Sequence, residues 1–170
     1  MATGQAGAAL LRLPEGRFSG HSEFAGLVRQ ALAAAAAQGW RDMVWCDPDF
    51  ADWPRGERAV AQALNDWARS GRKLTMLAEN YDAVLRRHAR FVTWRQTWSH
   101  AVECRKSGAA SKGRLPSAIW SAGWMMERLD NQRCTGAAGA ELARCIALKE
   151  RLNEHLCASS AGFPSTVLGL

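Results

Sequence analysis

The sequence predicts an α/β protein: a mixed, mainly parallel sheet with helices on both faces, closed by a β-hairpin and a C-terminal helix. Two short apolar runs, Asp42–Cys46 (DMVWC) and Lys73–Ala78 (KLTMLA), lie between stretches of helical period. Late in the chain, Pro116–Gly139 alternates like a hairpin and ends in a glycine-rich segment before a last helical stretch. Alternation of helix and strand implies parallel strands joined by right-handed crossovers. The closing hairpin makes the sheet mixed.

A length of 170 residues is that of one domain, which buries roughly 70% of its unfolded surface and needs no covalent staples. Hydrophobic residues make up 48% and charged residues 22%, ordinary values for a globular chain. Eight Trp stand against one Tyr; each Trp brings a large area to bury and one donor to satisfy. The boundaries expected are a flexible arm over 1–16, one domain over 17–158 and an irregular tail over 159–170.

The first helix starts at Ser22 as N-cap and carries Phe24, Leu27, Val28, Ala31, Leu32 and Ala35 on one face. A five-alanine run at 33–37 favours the helix, and Gly39 stops it. Leu10–Leu13 is read as a short strand and Arg17-Phe18-Ser19-Gly20 as a turn. Asp42–Cys46 is a buried strand. Glu57–Ser70 is the second helix, with Val60, Leu64 and Trp67 inward, and Lys73–Ala78 the next strand. Asn80 caps a third helix running to about Trp98. His100–Arg105 is a strand, and 107–116 a Gly/Ser/Lys loop. Ala118–Arg128 is the first hairpin arm, turning at Asp130-Asn131, and Gln132–Thr135 is the second. The last helix covers about 140–158, with Leu142, Cys145, Ile146, Lys149, Leu152 and Leu156 as its inner stripe.

Candidate chemistry follows from charge and position. The net charge is +6, which favours acidic partners such as nucleic acid. Arg86, Arg87, Arg90, Arg105, Lys106, Lys112 and Arg114 are the candidate contacts for nucleic acid or another phosphorylated ligand. Asp47, Asp49 and Asp52 follow the first buried strand, and Glu79 follows the second. Ligands bind at that end of open α/β sheets, and carboxylates there suit Mg²⁺ binding or acid/base work. The five cysteines form no C-x-x-C pair, so neither metal spacing nor a disulfide framework is expected. No cofactor is implied. His21, His88, His100 and His155 sit at no recognisable catalytic motif. The N-terminal segment lacks a basic n-region and a long apolar run, and no stretch reaches membrane-spanning length. With five unpaired cysteines, this gives a cytoplasmic expectation.

The layout over roughly 22–158 resembles one half of the phospholipase D superfamily. That family's signature is H-x-K, four residues and D, followed about six residues later by G-S-x-N, on a hairpin feeding a helix. Here Asp130 fits the Asp, and Gly136-Ala137-Ala138-Gly139 falls within a residue of the glycine turn. Counting back puts Gly123 at the His position and Met125 at the Lys position. In the family the His attacks phosphorus and the Lys stabilises the developing charge. Glycine is no nucleophile and methionine carries no charge, so the resemblance implies a non-catalytic module. It also implies a homodimer, since the family assembles its site from two halves. Trp120, Trp124, Met125 and Met126 are then the interface candidates. The alternative is a metal-assisted hydrolase built on the carboxylates.

Overall fold

The computed structural model describes residues 12–70 and 72–163. Among these, eight strands form one sheet in the order β1-β7-β6-β5-β2-β3-β4-β8. The strands are β1 (Gly16–Ser19), β2 (Asp42–Cys46), β3 (Lys73–Ala78), β4 (Val102–Lys106), β5 (Ser117–Trp120), β6 (Met125–Asp130), β7 (Thr135–Gly139) and β8 (Ser160–Ala161). The helices are α1 (His21–Gln38), α2 (Arg58–Ala68), α3 (Asp82–Arg87), α4 (Ala89–Thr97) and α5 (Leu142–Cys157).

The expected mixed α/β sheet is present, with helices on both faces. Its parallel part is β2-β3-β4, and the other five pairings are antiparallel. The antiparallel part is larger than one closing hairpin would make it. The expected arm Ala118–Arg128 is two strands, β5 and β6, parted by a tight turn at residues 121–124. Ser121 makes that turn: its N and Oγ both donate to Trp124 O, at 2.9 and 2.8 Å. The expected glycine turn at 136–139 is strand β7, since the close approach of backbones there requires glycine. A Cβ on Gly136 would collide with Glu127 O and reach within 2.7 Å of Phe18 Cζ.

Alternation along the strands sorts the core into two layers. Met43 and Trp45 of β2, Leu74 and Met76 of β3, and Met126 of β6 face α1, α2 and α4. Val44, Cys46, Leu77, Ala118 and Met125 face α5. The alanines Ala31, Ala34 and Ala35 of α1 are at most 1% exposed, and their small side chains bring that helix close to its neighbours. Gly39 ends α1 in the left-handed region at φ 65°, as glycine should.

Other elements differ from the expectation, each for a local reason. Arg17–Ser19 belongs to β1, which pairs antiparallel with β7; only Phe18 of this strand is buried, so no periodicity marks it. Gly20 at φ 94°, rather than Ser22, is the N-cap of α1. The expected strand at 10–13 falls partly outside the described residues, and 12–15 are not strand. The single third helix is two, α3 and α4, broken at His88 (φ −124°, ψ 55°). That histidine turns inward, 8% exposed. In α5 the buried residues are Cys145, Leu148 and Leu152, whereas Leu142 and Ile146 are 66% and 50% exposed. Residues 160–161 form β8 against the end of β4, and Phe163 is buried on Tyr81, so this part of the tail is ordered against the sheet.

Candidate functional site

The carboxyl ends of β2 and β3, with the end of β6 beside them, gather most of the buried charge. Arg128 projects from β6 towards α1, and its side chain is 2% exposed. Its Nη1 donates to Asp52 Oδ2 at 2.5 Å, and its Nη2 to Asp47 Oδ1 at 3.0 Å and Asp52 Oδ1 at 3.1 Å. Nε donates to Ser117 Oγ at 3.1 Å. The guanidinium also sits 4.1 Å from the centre of the Phe24 ring. Burial works against this charge, but hydrogen bonding to Asp52 and the field of Asp47 outweigh it and raise the pKa above the usual arginine value. Asp47 also accepts the backbone N–H groups of Asp49 and Phe50. Those bonds hold Phe50 in the left-handed region at φ 57°.

A second arginine lies deeper in the same region. Arg55 is wholly buried, sandwiched between the rings of Phe50 and Phe91 at 4.8 and 5.0 Å. Its Nη2 donates to Phe50 O at 2.8 Å. Desolvation pushes its pKa down to about 9. Nearby thiols are likewise pushed up by burial, Cys104 to about 11, so it is no thiolate nucleophile at neutral pH.

The four predicted carboxylates are therefore not one cluster. Asp47 and Asp52 meet on Arg128. Asp49 Oδ1 accepts Ala51 N at 2.9 Å, and Glu79 accepts Gly113 N. Among the described residues, no group of three or more His, Cys, Asp or Glu is arranged to hold a metal. The predicted cations divide in two. Arg90 is tied to Gly56 O and Arg105 to Ser159. Arg86, Arg87, Lys106, Lys112 and Arg114 are exposed and none of them forms an ion pair among the described residues, though Arg86 Nε donates to Asp82 O at 3.3 Å within its own helix. Beside Arg114 runs a groove of about 520 Å³ lined also by Asn131, Arg151, Glu154 and His155. His155 Nδ1 lies 2.8 Å from Ser111 Oγ, which ties the 107–116 loop to α5.

The motif positions divide between the two ends of β6, Gly123 and Met125 at its start and Asp130 and Gly136 at its finish. Trp120 pairs with Val44 on one side and Met125 on the other, and Met125 pairs with Gly139. This row crosses β2 at Val44, its middle residue. Gly123 sits in the turn above it with nothing within 4 Å of a built Cβ. Met125 is 2% exposed beneath α5. Asp130, at the far end of β6, caps its turn by accepting Arg133 N at 3.0 Å, and Gly136 lies in β7.

No protein-family profile and no curated protein sequence matches the chain. Solved structures do match. TrmBL2, an archaeal chromatin protein described as showing a novel mode of DNA binding, superposes with a TM-score of 0.61 at 12% identity, over 86% of this chain and 53% of its own. NucT from Helicobacter pylori superposes at 0.59 and 11% identity, over 88% of this chain and 99% of its own. Polyphosphate kinase from Porphyromonas gingivalis gives 0.61 and 13%, over 90% of this chain and 28% of its own. The fold is phospholipase D-like.

The chain thus spans about half of TrmBL2, little more than a quarter of the kinase, and nearly all of NucT. Within this phospholipase D-like sheet, the expected interface candidates are largely interior. Trp124, Met125 and Met126 are 3%, 2% and 0% exposed. Trp124 packs on Trp40, and half-buried Trp120 donates its Nε1 to Cys145 O at 2.9 Å. Both methionines are consumed by the two core layers. Arg128 and Arg55 were missed as candidates because each looks in sequence like another surface arginine. The one available signal for Arg128 was its place two residues after Met126, on the same face of its strand.

Proposed function

We propose that this chain is a non-catalytic phospholipase D-like binding module whose partner is nucleic acid or another phosphorylated ligand. The observation that carries this is the content of the two motif positions: an open glycine at 123 and a methionine at 125 packed under α5. Neither supplies a nucleophile or a cation to a phosphodiester. The net charge of +6 and the five unpaired exposed cations support the binding half of the reading. So does the DNA binding described for TrmBL2. All five cysteines are free thiols, which supports a reducing, cytosolic setting. A homodimer is part of the reading, with exposed Leu142 and Ile146 of α5 as its first residues to test by light scattering.

The test joins two measurements on the purified chain. Hydrolysis of bis(p-nitrophenyl) phosphate is expected to stay at background. Fluorescence anisotropy is expected to show nucleic-acid binding at low salt that weakens as salt rises. Turnover that follows the chain through gel filtration and persists in EDTA would overturn the non-catalytic half. Absence of binding at low salt would overturn the other.

A further inference from the structure

The five unpaired cations grow from one junction. Ser107 N donates to Ala78 O at 2.9 Å, Tyr81 Oη donates to Arg105 O at 2.7 Å, and Gly113 N bonds to Glu79. These contacts bind the start of α3 to the end of β4 and to the following loop. From this junction α3 carries Arg86 and Arg87, the end of β4 carries Lys106, and the loop carries Lys112 and Arg114. A six-residue helix is about 9 Å long, so the two arginines stand within one short helix of the loop cations.

Most acids of this end already have partners, some buried and some at the surface. Asp47 and Asp52 answer Arg128, Asp49 caps Ala51, Glu79 holds Gly113, and Asp130 pairs with Arg133. Among the described residues, exposed Asp82 in the first turn of α3 and exposed Glu154, which lines the groove beside Arg114, are the carboxylates left near the five cations. The aromatics are spent as well: Phe50, Trp53, Tyr81 and Phe163 are all 6% exposed or less. Of the half-buried tryptophans, Trp40 and Trp98 precede β2 and β4 at the amino ends of the parallel strands, and Trp120 lies opposite mid-strand Val44 with its indole bonded to α5.

A protein that binds single strands stacks bases on exposed aromatic rings. A protein that binds duplex without reading sequence needs only cations set against a dense row of phosphates. We infer that the carboxyl end of the sheet, through Arg86, Arg87, Lys106, Lys112 and Arg114, binds duplex nucleic acid by its phosphate backbone without sequence preference. The surface lies across the sheet from Gly123 and Met125. The inference rests on the proposed nucleic-acid reading and names its partner and face.

The experiment titrates labelled 20-base-pair duplexes of two unrelated sequences, and oligo(dT)20, against the full chain at several salt concentrations. Both duplexes are expected to bind alike and tighter than the single strand. Their log–log salt slope is expected near −3 to −4, as roughly four released counterions require. Arg86→Ala/Arg87→Ala and Lys112→Ala/Arg114→Ala are each expected to lose about 10-fold and flatten the slope, with circular dichroism confirming that both fold. Arg41→Ala/Arg144→Ala, at the amino end, is expected to bind as the parent does. If that control loses binding and the other two keep it, the face is wrong while the nucleic-acid reading stands. Tighter binding of oligo(dT)20 overturns the duplex inference alone. No binding of any probe at 20 mM salt removes this inference together with the reading beneath it.

Discussion

The two ends of the sheet solve the same packing problem with opposite chemistry. Near the carboxyl end, a strand position at 4% exposure holds Arg128, answered by Asp47, Asp52, Ser117 and the Phe24 ring. Near the amino end of the same strand, Met125 is 2% exposed in the wholly apolar layer between the sheet and α5. Both positions exclude water, yet only the first depends on its partners being present. A buried ion pair can be replaced whole at little cost, whereas removing one partner strands the other. The charged end is therefore the fragile one, and the apolar end tolerates change of shape-conserving kinds.

The sharpest way to break this contrast is a pair of substitutions on β6. Arg128→Met leaves Asp47 buried without its cation and is expected to cost about 3–5 kcal/mol in urea unfolding. Met125→Leu conserves volume and is expected to cost under about 1.5 kcal/mol. Equal costs would mean that the ion cluster is no more demanding than ordinary core. A second pair compares two glycines. Gly136→Ala drives a methyl group into Glu127 O and Phe18 and is expected to cost about 1–3 kcal/mol. Gly123→Ala meets open space and is expected to stay within about 0.5 kcal/mol.

The smallest effect is a pH dependence confined to the charged end. Burial, reinforced by Arg55 and Arg87, lowers the pKa of His88, so the folded chain keeps this imidazole neutral. The unfolded chain takes up the proton first, near pH 6.5. The contribution is present above that pH and is lost as pH falls towards the lower folded value. The urea midpoint is expected to fall between pH 7.5 and 5.5, and His88→Gln to fall less. An unchanged pH profile in that variant would assign the acid sensitivity elsewhere.

Where local pattern and tertiary environment agreed, the chain was legible. Asp42–Cys46 and Lys73–Ala78 are strands with the expected bounds, because short apolar runs between helices leave little choice. Gly39 ended α1 for a backbone reason that sequence carries. The expected candidates Asp47 and Asp52 do meet, but on Arg128, 81 and 76 residues away, a pairing set by strand order. The break at His88 was hidden in the same way, since the cause is the pocket that receives the side chain. In α5, Leu142 and Ile146 kept the helical period but lie beside the buried stripe, and only the docking angle on the sheet decides that.

The pairing of β1 with β7 sets a clock for the nascent chain. Gly16 lies opposite Ala138, so about 120 residues must be made after the first strand leaves the ribosome before its partner exists. At cellular rates of synthesis that delay is roughly 6–25 s. Phe18 spends it without the strand β7 that pairs with its own. Long-range closure of this kind is slow even once the chain is complete. The early part of the molecule is thus the segment a chaperone would meet first.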